Sequence, residues 1–113
     1  MSSQTTFILC HDQEEIRALQ RQMLIEHGFF HIEEALTEEE IHSLFSVNSF
    51  LLLPIEKLHL SIKEKLRENK NFLLLTNSSS VDHPGVIEFG IKNTISFPYS
   101  SNLLIERIRN LIS

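Results

Sequence analysis

The hydrophobic positions of this chain form short continuous runs, separated by segments in which apolar residues return every three or four positions. Phe7-Ile-Leu-Cys10, Phe50-Leu-Leu-Leu53 and Phe72-Leu-Leu-Leu75 have the form of strands buried on both faces. Phe29 to Ile32 predicts a further strand, second in chain order, and Ile91 to Phe97 contains the last. Ile16, Leu19, Met23 and Leu24 recur at helical spacing, after Asp12 and Glu15 in a capping-box-like arrangement, and Gly28 supplies the stop. Thr37 and Glu40 repeat the capping signal ahead of Ile41, Leu44 and Phe45. Leu58, Ile62 and Leu66 lie four apart with Lys and Glu between them, which predicts a helix exposed on one side. Asn77 to Ser80 reads as a loop. Pro84 opens a short helix carrying Val86, Ile87 and Phe89 that ends near Gly90. The last helix, 101–112, places Leu104, Ile108 and Leu111 on one face, widened by Leu103, Ile105 and Ile112.

Alternating strands and helices with continuous apolar strands predict an α/β fold, in which a parallel sheet is covered by helices on both faces. The expectation is one domain, 1–113, built on a single doubly wound five-stranded parallel sheet. Such sheets bind ligands beyond the carboxyl ends of their strands, near the switch point in strand order. Any site therefore falls on His11 and Asp12, Pro54, Thr76, and Phe97 with Pro98.

Composition narrows the classes. A net charge of −5 argues against sequence-independent nucleic-acid binding and against an anionic membrane surface, both of which need a basic face. No apolar run approaches the ~18 residues of a membrane span. The single cysteine, Cys10, lies inside a strand-like run, which excludes a disulfide framework and fits a reducing compartment. Met1 to Thr6 has neither the charged leader nor the apolar core of a signal peptide, so a cytoplasmic protein is expected. No Walker, dinucleotide or Ser-His-Asp signature is present.

Taken in order, these segments resemble the receiver domain of bacterial response regulators. Phe7-Ile-Leu-Cys-His-Asp12 resembles the first strand and the acidic pair that holds magnesium; His11 replaces the first acid, and Asp12 is the only one retained. Phe50-Leu-Leu-Leu-Pro-Ile55 resembles the third strand, with Pro54 in place of the phosphoacceptor aspartate. Leu73-Leu-Leu-Thr76 resembles the fourth, and Thr76 matches the hydroxyl residue that contacts the phosphoryl group. Val86-Ile-Glu-Phe-Gly90, followed by Ile91 to Tyr99, resembles the helix–glycine–strand–Lys-Pro-aromatic passage, with Phe97 where the lysine belongs and Pro98 retained. Leu104 to Leu111 resembles the final helix. The segment between Pro54 and Thr76 is several residues short and lacks the Met-Pro-x-x-Gly-type loop, and the family's switch aromatic falls on Thr94.

The resemblance implies a flavodoxin-like fold with strand order 2-1-3-4-5 and a cis Phe97–Pro98 bond. Acyl-phosphate formation needs a carboxylate nucleophile, which proline lacks. One aspartate plus a backbone carbonyl is a poor magnesium cage. Phenylalanine cannot offset phosphate charge. The implied protein is a pseudo-receiver in two-component signalling: not an enzyme, without cofactor or metal, acting through protein partners, with homodimerisation as one form of contact. No output domain is expected to follow the last helix, which leaves protein contact as the output. The docking face implied is the fourth helix, fifth strand and last helix, with Lys92, Thr94, Tyr99, Asn102 and Arg107 as contacts. Pro54 and Phe97 are expected to plug the vacated pocket.

Other readings stand beside this one. Asp12, Glu56 or Cys10 is a candidate phosphoacceptor in an active phosphotransfer protein. Thr76 and His11 are candidate polar contacts of a small-ligand sensor at the strand ends. Asp12 is equally a helix N-cap, and Glu56 a fixed negative charge beside the old site or a solvated loop residue. Cys10 lacks the arginine of a phosphatase loop, since Ile16 takes that position, and lacks the glycine-rich loop of a phosphocysteine subunit; it reads as core. His27 and His31, four apart across Gly28, are a weak metal signal.

Overall fold

A computed structural model describes residues 5–77 and 83–112 of the chain. The strands are β1 (Thr6–Leu9), β2 (Ile32–Glu34), β3 (Ser49–Pro54), β4 (Phe72–Thr76) and β5 (Thr94–Ser96). The helices are α1 (Glu14–Glu26), α2 (Glu38–Leu44), α3 (Leu60–Glu68), α4 (Pro84–Phe89) and α5 (Ser101–Ile112), with single 3-10 turns at Ile55–Lys57 and Ile91–Asn93. The strands pair in parallel in the order β2-β1-β3-β4-β5. The expected fold class and strand order are therefore those observed. Most of the expected loop at Asn77 to Ser80, and the N-terminal segment up to residue 4, lie outside the described residues.

Strand alternation divides the core into two layers. Phe7, Leu9, Phe50, Leu52, Leu73, Leu75 and Ile95 point to one face, where Leu24 of α1 and Leu104, Ile105 and Ile108 of α5 cover them. Ile8, Cys10, Leu51, Leu53, Phe72 and Leu74 point to the other, against Ile41 of α2, Ile62 and Leu66 of α3, and Val86 and Phe89 of α4. This two-sided cover is why the central strands read as unbroken apolar runs. Gly85 is buried, and a side chain there would meet Leu58 and Ile55; the glycine lets α4 approach the turn after β3 closely.

Local signals hold best where they are self-contained. Thr37 Oγ1 accepts from the Glu40 amide and Glu40 Oε1 accepts from the Thr37 amide, both at 3.1 Å, a complete capping box. Gly28 adopts φ +87° just beyond α1, the left-handed geometry of a helix stop. Pro84 opens α4, and α5 spans the expected residues. The Phe97–Pro98 bond is cis.

Four expectations need correction. The second strand lies at Ile32–Glu34, not Phe29 to Ile32: after the Gly28 turn, Phe29 drops into the core against Phe7, 5.0 Å between ring centroids. The α1 N-cap is Gln13, with no side-chain cap bond, because Asp12 is engaged elsewhere. On α1 itself Leu19 is 45% exposed while Arg17 and Gln20 are buried, so its inward face is partly polar. In addition, α3 begins at Leu60, leaving Leu58 in the preceding turn, partly buried against the core.

Candidate functional site

The carboxyl ends of β1, β3, β4 and β5 open onto a cleft of about 260 Å³. His11, Pro54, Thr76 and Phe97 all line it, together with Glu56, Tyr99 and the apolar side chains of Ile16 and Leu75. The fold thus brings together four of the strand-end residues singled out by sequence. Asp12 and Pro98 are not among the lining residues.

The expected plug does not form. Pro54 is buried at the end of β3, but Phe97 is 54% exposed at the rim, its ring edge-on to Tyr99 with centroids 6.1 Å apart and planes at 90°. The strand ends after Ser96, so the Phe97 side chain is carried past the sheet edge and leaves the cleft open.

Each polar group has a distinct setting. The Thr76 hydroxyl donates to the Ile95 carbonyl at 3.3 Å and shares a bond with Ser96 Oγ at 3.0 Å, tying β4 to β5. His11 Nδ1 accepts from the Gln13 amide at 3.1 Å, which puts the proton of the neutral ring on Nε2. Burial lowers the His11 pKa, against the opposing pull of Asp12 and Glu56. The buried Cys10 thiol is pushed up to about 12 by desolvation, which keeps it protonated.

Two cations that sequence reasoning passed over organise the β1–α1 loop. Lys57 Nζ lies 2.6 Å from Asp12 Oδ1 and donates to the Leu36 carbonyl at 3.0 Å. Its hydrogen bond is the first cause of an Asp12 carboxyl held below the usual range, although Asp12 itself is largely exposed. Arg17, buried within α1, donates to the carbonyls of His11 (2.7 Å) and Asp12 (3.0 Å) and pairs through Nε with Glu34 at 3.0 Å. Arg21 joins the same carboxylate at 3.1 Å, and these bonds, Arg17 first, hold Glu34 below its ordinary pKa. The only sequence sign of Arg17 was a cation one turn into α1; for Lys57 it was a lysine just past the shortened strand-3 junction.

The five residues expected on a single docking face differ in their surroundings. Arg107 donates to the carbonyls of Ile91 (2.8 Å) and Thr94, and the buried Thr94 hydroxyl donates to Ile91 at 3.2 Å, with Lys92 exposed beside them. Tyr99 instead turns toward α1, its hydroxyl accepting from Gln20 Nε2 at 3.1 Å. Asn102 lies with His27 and Arg109 around a different hollow. His27 Nδ1 stands 3.0 Å from the Met23 carbonyl at the end of α1. Among the described residues no group of three or more His, Cys, Asp or Glu is placed to hold a metal ion, and no helix is long and apolar enough to cross a membrane.

No protein-family model matches the sequence, and no curated protein matches it. Solved structures do. Response regulator StyR aligns with a TM-score of 0.74 at 14% identity, over 96% of this chain and 59% of that one, so the chain spans a little over half of StyR's length. A response regulator from Colwellia psychrerythraea aligns with a TM-score of 0.65 at 16% identity, over 97% of both chains. At these identities the likeness is one of fold: the chain has the receiver, flavodoxin-like architecture of these response regulators.

Proposed function

We propose that this chain is a signalling module of receiver fold that works without phosphorylation, through contact with protein partners in the cytoplasm. The observation that carries the reading is the Lys57–Asp12 pair. The one acid retained beside β1 is engaged by the protein's own ammonium at 2.6 Å, where a metal-dependent phosphoacceptor site needs a carboxylate open to a divalent ion. The neighbouring substitutions agree with it. Pro54, at the end of β3, offers no nucleophile, and Phe97 offers no cation to a phosphoryl group.

The alternative acceptors are poorly served. Cys10 is fully buried and protonated, and Asp12 is paired. Glu56 faces the cleft, and among the described residues no cation lines it to offset a transferred phosphoryl group. Signalling by this module would rest on a constitutive surface rather than on a population shift driven by modification. The patch best suited to it lies at α4 and the following turn, where Ile87 and Ile91 are 72% and 75% exposed beside Lys92. Contact through this patch, with a partner protein or a second copy, needs no basic surface, in keeping with the net charge of −5.

The test is direct. The protein is treated with magnesium and a small-molecule phosphodonor and weighed intact, and its amide spectrum is followed on adding magnesium and then beryllofluoride. The expected result is an unchanged mass and unmoved resonances at Asp12 and Thr76. A phosphate adduct, or saturable shifts at those residues, overturns the reading.

A further inference from the structure

We propose that the strand-end cleft binds an organic cation, a small apolar body carrying an ammonium or guanidinium group. The cleft's charge is the first argument. Glu56 lines it and makes no ion pair or hydrogen bond among the described residues. The nearby cations Arg17 and Lys57 are engaged by Glu34 and Asp12, and neither lines the cleft. His11 contributes a neutral ring, since burial opposes its protonation. The N-terminus of α1 borders the cleft through Gln13, but Glu14 and Glu15 occupy its first turn and answer its positive end. Among the described residues that line the cleft, an anion meets one unpaired carboxylate and no cation.

The walls supply the second argument. Phe97 and Tyr99 both line the cleft, their ring planes at right angles and their centroids 6.1 Å apart. Rings so placed attract a cation through their quadrupoles, and more strongly where water is partly excluded. Phe97 is 54% exposed at the rim, where a bound ligand would cover more of its ring. Pro54, Leu75 and Ile16 give an apolar floor for the ligand's body. At about 260 Å³ the cleft falls just below the range of about 300–1,000 Å³ typical of drug-sized ligands, which suits one ring or a short chain.

The same chemistry reaches the cleft from two sources, a free amine or the lysine or arginine side chain of a partner protein. Amide NMR titrations of the full chain with benzyltrimethylammonium, Nα-acetyl-arginine methylamide, benzyl alcohol and benzoate separate them. The expected result is saturable shifts at His11, Glu56, Thr76, Phe97 and Tyr99 with at least one cation, about tenfold weaker with the alcohol and absent with benzoate. Preference for the arginine probe assigns the cleft to a partner's side chain, and preference for the quaternary ammonium to a free small molecule. Glu56→Gln, at an exposed unpaired position, should fold normally and weaken cation binding by about tenfold. The proposal is overturned if neither cation gives saturable shifts at millimolar concentration, if benzoate or the alcohol binds equally well, or if Glu56→Gln binds as wild type. These outcomes are independent of phosphorylation, so the two readings fail separately.

Discussion

The Lys57 ammonium stands 2.6 Å from the Asp12 carboxylate, bridging the turn after β3 to the loop after β1. Lys57 is held by its second bond to the Leu36 carbonyl and is mostly covered, whereas Asp12 is 76% exposed. A pair with one solvated partner contributes little to stability, because water screens it. Its consequence lies in the state of the carboxylate. Lys57→Met should leave the unfolding midpoint nearly unchanged and let the Asp12 carboxyl titrate closer to its ordinary value of 3.8. Side-chain carbonyl NMR across the acid range, with and without 1 M salt (a Debye length of roughly 3 Å), checks both parts.

Arg17 is the reverse case, a buried cation with three partners. Removing it leaves the His11 and Asp12 carbonyls without donors and Glu34 with Arg21 alone. Hydrogen bonds to charged groups are worth about 1.5–3 kcal/mol, and Glu34 is partly solvated, so Arg17→Met should destabilise by about 2 kcal/mol in urea unfolding. Arg17→Lys should recover little, since an ammonium cannot span the carboxylate and two carbonyls at once.

These two residues show where the sequence was legible and where it was not. Strands such as Phe50 to Leu53 declare themselves because burial on both faces demands uninterrupted apolar residues. The edge strand β2 does not: it pairs only with β1 and contains Glu33 and Glu34, so neither composition nor alternation marks it. On α1 the helical period was sound, but Arg17 and Gln20 turn inward to satisfy loop carbonyls and the Tyr99 hydroxyl, a demand invisible along the chain. The cleft residues His11, Pro54, Thr76 and Phe97 were accessible because strand ends converge in any sheet of this type. The openness of that cleft was not. Two apolar residues in place of charged ones, Pro54 and Phe97, suggested a plug that leaves no buried charge to satisfy, whereas position 97 lies beyond the end of β5 and its ring is carried to the rim.

Cys10 bears on the phosphotransfer alternative. The thiolate is the nucleophile, and burial pushes the Cys10 pKa up to about 12. Iodoacetamide at pH 8 should therefore leave the native protein unmodified over hours and add one carbamidomethyl group after denaturation, read by intact mass. Rapid labelling of the native chain would show that strand β1 opens far more readily than its buried setting implies.

Acid should destabilise the protein in two steps of the same sign. Burial lowers the His11 pKa in the fold, so protonation favours the unfolded chain. Its effect is absent above the ordinary histidine value of 6.5, and stability falls as pH drops below that value until the lower folded pKa is passed. The carboxylates of Asp12, Glu34, Glu40 and Glu88 are held below their ordinary values by Lys57, by Arg17, by the Thr37 amide and by Arg67 respectively. Their contribution is present above the ordinary glutamate value of 4.5 and is lost as pH falls through the folded values. Thermal melts should thus show a plateau near neutrality, a shallow decline beginning near pH 6.5 and a steeper one below pH 4.5. His11→Gln keeps a side-chain acceptor near the Gln13 amide without a titrating ring. In that variant the first decline should vanish while the second persists; an unchanged first decline would place its origin at another histidine.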